Sequence, residues 1–166
     1  MYTEVINPYF DQYYETLNKS KLKKIIQYSL DGGKCIRGYI VKHIIETFNN
    51  NNITKLWEPI VSVELLHTAS LIIDDLPCMD NDKYRRNKLS TFTAFSEREA
   101  ILSALYIIGQ SIKLCTNSLN NNFDNYLKKS SDTDLKKINE IVINNKNILL
   151  ELINQWTELL GENLII

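Results

Sequence analysis

The chain has 166 residues, with 19 basic and 20 acidic side chains and a net charge of −1. That balance offers no general attraction to nucleic acid or to anionic lipid. No apolar run reaches membrane-spanning length; the best candidate, Ile60 to Ile73, is too short and contains Glu64 and His67. One domain over residues 1–166 with a real core is expected, and five glycines and three prolines leave long unbroken segments that read as all-α. In chain order, helical spacing predicts a first helix over 3–18, with Val5, Tyr9, Tyr13 and Leu17 on one face and Pro8 near its start. A second helix is predicted for Leu22 to Leu30, then a break at Asp31-Gly32-Gly33, then a third helix from Ile36 to Phe48. Asn49 to Asn52 reads as a linker, and a long helix follows from Thr54 to Ile73. Leu76 to Ser90 reads as a polar loop and Thr91 to Cys115 as helix. Asn117 to Asp132 reads as a polar connection with at most a short helix, and Asp134 to Leu160 as a last helix stopped at Gly161. No repeat or alternating strand pattern is present, so a helical bundle is the economical architecture.

Three cysteines without a CxxC pair point to a reducing compartment, with no disulfide framework and no zinc site. The N-terminus lacks a basic-then-apolar signal pattern, so a cytoplasmic location is expected. Basic residues are mostly lysine. The four arginines, Arg37, Arg85, Arg86 and Arg98, are therefore expected where a planar bidentate donor is required.

Two stretches carry chemistry. In ELLHTASLIIDDLPCMDNDKYRR (64–86), Glu64, His67, Ser70 or Leu71, and Asp74 share one stripe of an otherwise apolar helix. Such a helix is buried, and its polar stripe must face partners or a wet cavity. For His67 alone, a core histidine with an acid partner is the commoner reading; alignment with Asp74 favours the cavity. Pro77 ends or kinks the helix, and a broken segment over Leu76 to Met79 can swing Asp80 back towards Asp74. The two carboxylates could then bridge Mg²⁺, with phosphate oxygens and water completing its shell. Acid clusters are usually solvated loops, but the apolar helix before this one and Arg85-Arg86 after it argue otherwise. Cys78 reads as a small packing residue rather than a nucleophile. In the second stretch, Asp31 to Arg37, two glycines before a helix permit unusual backbone angles, and Lys34 and Arg37 add cations at the same spot. Phosphate-loop, calcium-loop, HExxH and histidine-aspartate hydrolase patterns are all missing.

GGKCIR (32–37) together with ELLHTASLIIDDLPCMDNDKYRR (64–86) resembles the trans-isoprenyl diphosphate synthases, most closely the geranylgeranyl diphosphate synthase type. The resemblance covers Asp31 to Leu102 and implies a partial isoprenoid synthase fold that transfers prenyl groups with Mg²⁺. By that resemblance Lys34, Arg37 and His67 bind the diphosphate of isopentenyl diphosphate, and Arg86 adds a further contact. Asp74 and Asp80 match the Mg²⁺ ligands, with Asp75 the other member of the motif, and Arg85 matches the contact to an allylic prenyl diphosphate. The implied reaction is ionisation of the allylic diphosphate, attack by the isopentenyl double bond and proton loss. Pairing as a homodimer, or as a heterodimer with a related synthase, is also implied. Ala69 and Ser70 are small where bulk limits product length in the family. The chain departs from the pattern at Ile73, where histidine is usual, and at Asn87-Lys88-Leu89-Ser90 with Phe92, where GKPT and a histidine are usual. It departs again at Ser103-Ala104-Leu105, where a Gly-Asp pair is usual, and it lacks the second aspartate-rich motif. Little or no activity is therefore expected of these residues alone. The competing expectation is a non-catalytic subunit that binds prenyl diphosphates or partners a complete synthase.

Overall fold

The computed structural model describes residues 2–48 and 57–127 of the chain. Two compact units divide it, Met1–Ser118 and Leu119–Ile166. The first holds α1 (Tyr2–Thr16), α2 (Lys21–Leu30), α3 (Ile36–Phe48), α4 (Trp57–Asp74), a hairpin of β1 (Tyr84–Arg85) and β2 (Lys88–Leu89), and the one-turn α5 (Thr91–Ala94). The last described helix, α6 (Glu97–Leu127), begins in the first unit and continues past its boundary. The linker Asn49 to Asn52 and the helix expected from Asp134 to Leu160 lie outside the described residues.

The protein is all-α, as its composition predicts; among the described residues the hairpin is the only regular strand pair. Helix α4 is the hub, because α1, α2 and α3 all pack on it. Its Ile60, Val61, Leu65, Ala69 and Ile72 join Ile6, Phe10 and Tyr13 of α1, Ile26 and Leu30 of α2, and Ala100, Ala104, Ile107 and Leu114 of α6 in one core. An apolar helix surrounded in this way buries most of its circumference, which is why its few polar positions are informative. Between α4 and α6, Ser62 and Ser111 exchange hydrogen bonds. Each hydroxyl donates to the other's carbonyl at 2.9 Å, so two polar groups are satisfied inside the core.

Four local expectations are corrected. Helix α1 buries Ile6, Phe10 and Tyr13, leaving Val5 exposed, so its inner face is rotated by one residue from the expected stripe. Pro8 lies well inside the helix, not near its start, and removes one amide from the ladder. The expected helix Thr91 to Cys115 is broken at Phe95, whose backbone (φ −120°, ψ −83°) leaves the helical region. Ser96 then restarts the chain as α6: its hydroxyl accepts from the Glu99 amide at 3.2 Å and donates to the Glu99 carboxylate at 3.0 Å. Finally, α6 runs on to Leu127, through the asparagine-rich stretch expected to be a connection. Its buried face, Ala100, Ser103, Ala104, Ile107, Ser111, Leu114 and Ser118, keeps helical spacing. Three of those positions are serines, which hid the period.

Candidate functional site

The site starts at the broken end of α4. Past Asp74 the chain turns tightly, with the Leu76 carbonyl accepting from both Met79 (2.9 Å) and Asn81 (3.0 Å). The Asp80 amide donates to the Asp74 carbonyl at 2.9 Å, so the two acids expected to converge do lie together. Asn81 takes a positive φ of 54°, a conformation asparagine tolerates, and reverses the chain. Burial pushes the Asp74 carboxyl above its usual range, and the neighbouring Asp80 charge pushes it further. Cys78 is exposed on this turn, which corrects its reading as a packing residue: a turn this tight leaves the side chain outside.

Asp75 points the other way. It is 2% exposed, and its Oδ1 accepts from Arg85 Nε at 2.9 Å and from Arg85 Nη2. Asp82 adds a second, looser carboxylate to Arg85 at 3.5 Å. Asp75 therefore orients an arginine, an assignment adjacency to Asp74 did not suggest. The hairpin that carries Arg85 pairs Tyr84 with Leu89 and Arg85 with Lys88. Its turn residues Arg86 and Asn87 both have positive φ (55° and 62°), the signature of a type I′ turn. Asparagine suits that turn, whereas arginine in this region carries a strain of about 1–2 kcal/mol.

Arg86 offsets that strain by capping α2. Its Nη1 donates to the carbonyls of Ser29 (3.2 Å), Leu30 (3.1 Å) and Asp31 (3.3 Å). Gly33 is small for this reason: a Cβ there would lie 3.0 Å from Arg86 Nη1, whereas one on Gly32 would make only ordinary contact with the Arg86 side chain. Only Gly32 uses its backbone freedom, with φ +77°; the second positive φ of the loop falls on Cys35 (53°), not on Gly33. Thr3 of α1 steadies the loop, donating from Oγ1 to the Gly33 carbonyl at 3.0 Å.

Helix α3 starts next to this loop, and Glu64 of α4 caps it. The buried Glu64 Oε1 accepts from the Gly38 amide at 2.7 Å, one of the orphan donors of a helix start. Gly38 permits the approach, since a Cβ there would meet Glu64 Cγ at 3.1 Å and the Ile60 carbonyl at 3.2 Å. Sequence reading placed Glu64 on the polar stripe but missed this partner; a glycine inside a predicted helix was the available signal.

These elements enclose a cleft of about 540 Å³ lined by Lys34, Arg37, Glu64, His67, Leu71, Arg85 and Arg86 among others. Five expected site residues meet there, and three of the four arginines are among them. The polar stripe of α4 passes through Leu71, while Ser70 turns its hydroxyl back to the His67 carbonyl at 2.8 Å. Asp74, Asp75 and Asp80 do not line the cleft; Asp74 interacts electrostatically with His67 and Arg85, which do. Burial first, and then the Arg37 charge, hold His67 below its ordinary value, so near neutral pH it is an uncharged hydrogen-bonding group. Among the described residues no group of three or more His, Cys, Asp or Glu side chains is assembled to hold a metal.

Fold and site together define an all-α protein presenting a cationic cleft beside a paired-carboxylate turn, a class suited to phosphate-bearing ligands. The family model described as polyprenyl synthetase matches residues 19–147, and the chain belongs to that family. It is 36% identical over 123 residues to the farnesyl diphosphate synthase of Bacillus subtilis, covering 73% of this chain and 39% of that one. It is likewise 36% identical over 101 residues to the large subunit 1 of a heterodimeric geranylgeranyl pyrophosphate synthase of Arabidopsis thaliana, covering 60% of this chain and 27% of that one. The crystal structure of a geranyltranstransferase from Thermotoga maritima superposes with a TM-score of 0.64 at 26% identity, over 85% of this chain and 49% of the other. The chain thus spans less than half the length of the curated relatives it matches. Among the described residues no helix is long and apolar enough to cross a membrane.

Proposed function

We propose that residues 1–166 form one isoprenoid-synthase-like domain that binds isopentenyl diphosphate and an allylic prenyl diphosphate for Mg²⁺-dependent prenyl transfer. The convergence of Lys34, Arg37, His67, Arg85 and Arg86 on one cleft carries this reading. Lys34 and Arg37 hold the isopentenyl diphosphate oxygens, neutral His67 adds a hydrogen bond, and Arg86 contributes through the nitrogens not committed to α2. Arg85, oriented by Asp75, faces the allylic diphosphate. Asp74 and Asp80 fit a divalent cation as a carboxylate pair: their mutual repulsion is what such an ion relieves, and diphosphate oxygens and water complete its shell. Mg²⁺ bound there would supply charge neutralisation as the diphosphate departs. Asp74, Asp80 and Arg85 are thus the catalytic set, with Asp75 as the residue that positions Arg85; a cytoplasmic location is part of the same proposal.

Calorimetric titration of isopentenyl diphosphate into the chain and into Lys34→Ala tests the binding half. Saturable binding weakened by the substitution is expected, and no binding to the wild type would overturn it. Prenyl transfer by these residues alone is expected to be absent or very low, because one acidic motif is all they carry; robust turnover with Mg²⁺ would refute that.

A second reading, a binding or regulatory subunit that pairs with a related synthase or with itself, is favoured by α6. Leu102, Leu105 and Ile112 are exposed there at i, i+3 and i+10, and Gly109 between them is open. Such a seam suits another helix. The heterodimeric relative's name is consistent with a partnered state.

A further inference from the structure

We propose that Lys88, together with Tyr28, is a positioning residue for the cationic cleft. It clasps the hairpin to the C-terminal end of α2 and so fixes Arg86 against the loop Gly32 to Arg37. Its relevance to ligand binding rests on the reading that the cleft takes a diphosphate. The side chain of Lys88 is only 24% exposed. Its Nζ donates to the Tyr28 carbonyl and to Asp31 Oδ2 (3.1 Å), and sits 4.3 Å from the centre of the Tyr28 ring. Tyr28 answers from the other side, its hydroxyl donating to the Leu89 carbonyl at 2.7 Å. The same ring is braced edge-on by Phe95 at 5.2 Å.

Helix α2 ends with unpaired carbonyls and the negative end of its dipole, and cations there are stabilising. Lys88 and Arg86 between them bond the carbonyls of residues 28, 29, 30 and 31, so one hairpin serves the whole helix end. Asp31 is too exposed for its ion pair to count for much; the carbonyl bond and the ring contact do the holding. The hairpin needs an external hold because both of its turn residues have positive φ and neither is glycine. Without Lys88, Arg86 is the only cation left on the end of α2 among the described residues, and the turn is free to draw its guanidinium off Gly33. The loop bearing Lys34 and Arg37 would then lose its cover.

The test uses the full chain as wild type, Lys88→Met and Lys88→Arg, the last keeping a cation able to reach the carbonyl and stack on the ring. Amide hydrogen exchange is expected to speed up in K88M at both 84–89 and 32–37, with K88R restoring wild-type protection in both. Binding of inorganic diphosphate is expected to weaken about tenfold in K88M and to recover in K88R. Faster exchange confined to the hairpin, or weakened binding that K88R does not rescue, would overturn the proposal. If the wild type takes up no diphosphate, the ligand reading fails while the exchange pattern still decides the clasp. Should K88M not fold, Tyr28→Phe removes only the bond to Leu89: faster exchange at 32–37 is expected, and unchanged exchange there overturns the clasp.

Discussion

At the residue scale, Glu64 shows how a side chain in the cleft also builds it. Its carboxylate accepts from the Gly38 amide at the start of α3 while sharing the cleft with Arg37, His67 and Arg86. Glu64→Ala leaves a buried amide without its acceptor, so a loss of about 1–3 kcal/mol is expected on denaturant unfolding. Glu64→Gln keeps an acceptor and should lose less. His67 makes a second prediction. It faces Arg37, Glu64, Arg86 and Asp74, and its pKa is held below the ordinary 6.5, chiefly by burial. Between the folded and ordinary values the unfolded chain binds a proton that the folded chain does not. Stability should therefore fall as pH drops through 6.5 towards the lower folded value, and level off beneath it. His67→Gln should remove that part of the slope; an unchanged pH profile of the melting temperature would show that His67 does not titrate this way.

At the scale of elements, the breaks matter more than the helices. Ser96 separates α5 from α6 through its reciprocal bonds with Glu99. Ser96→Ala should cost about 1 kcal/mol, read as a lower melting temperature with little change in helix content. The S-x-x-E signal for this start was present in the sequence, but apolar residues on both sides of it suggested one uninterrupted helix. Asp80 is the opposite case: Pro77 announced the break, and Asp80 does return to Asp74. The hairpin of Tyr84 to Leu89 lies in a stretch that reads from sequence as polar loop, because its turn uses Arg86-Asn87 in place of the glycine-bearing pairs that mark type I′ turns.

At the scale of the whole molecule, the family was legible from two motifs and their separation, and the model match over residues 19–147 agrees. Association is the property that belongs to this scale. Leu105 is 61% exposed at the middle of the α6 seam. If that seam holds a second copy, Leu105→Glu should shift the chain to monomer in sedimentation equilibrium without loss of helix content. A wild-type chain that is monomeric at all concentrations would leave the seam to a different partner.

The sequence by itself determined the all-α class, the burial of α4 and the break that returns Asp80 to Asp74, all from local rules of periodicity and proline geometry. The set of cations that shares one cleft was legible only through the family resemblance. Only the tertiary structure decided which of those groups are already engaged. Asp75 neutralises Arg85, Arg86 and Lys88 cap α2, and Glu64 caps α3, all through partners ten or more residues away in the chain. Helix ends and buried charges must be satisfied by something, but which group satisfies them depends on packing, and no local spacing encodes that choice.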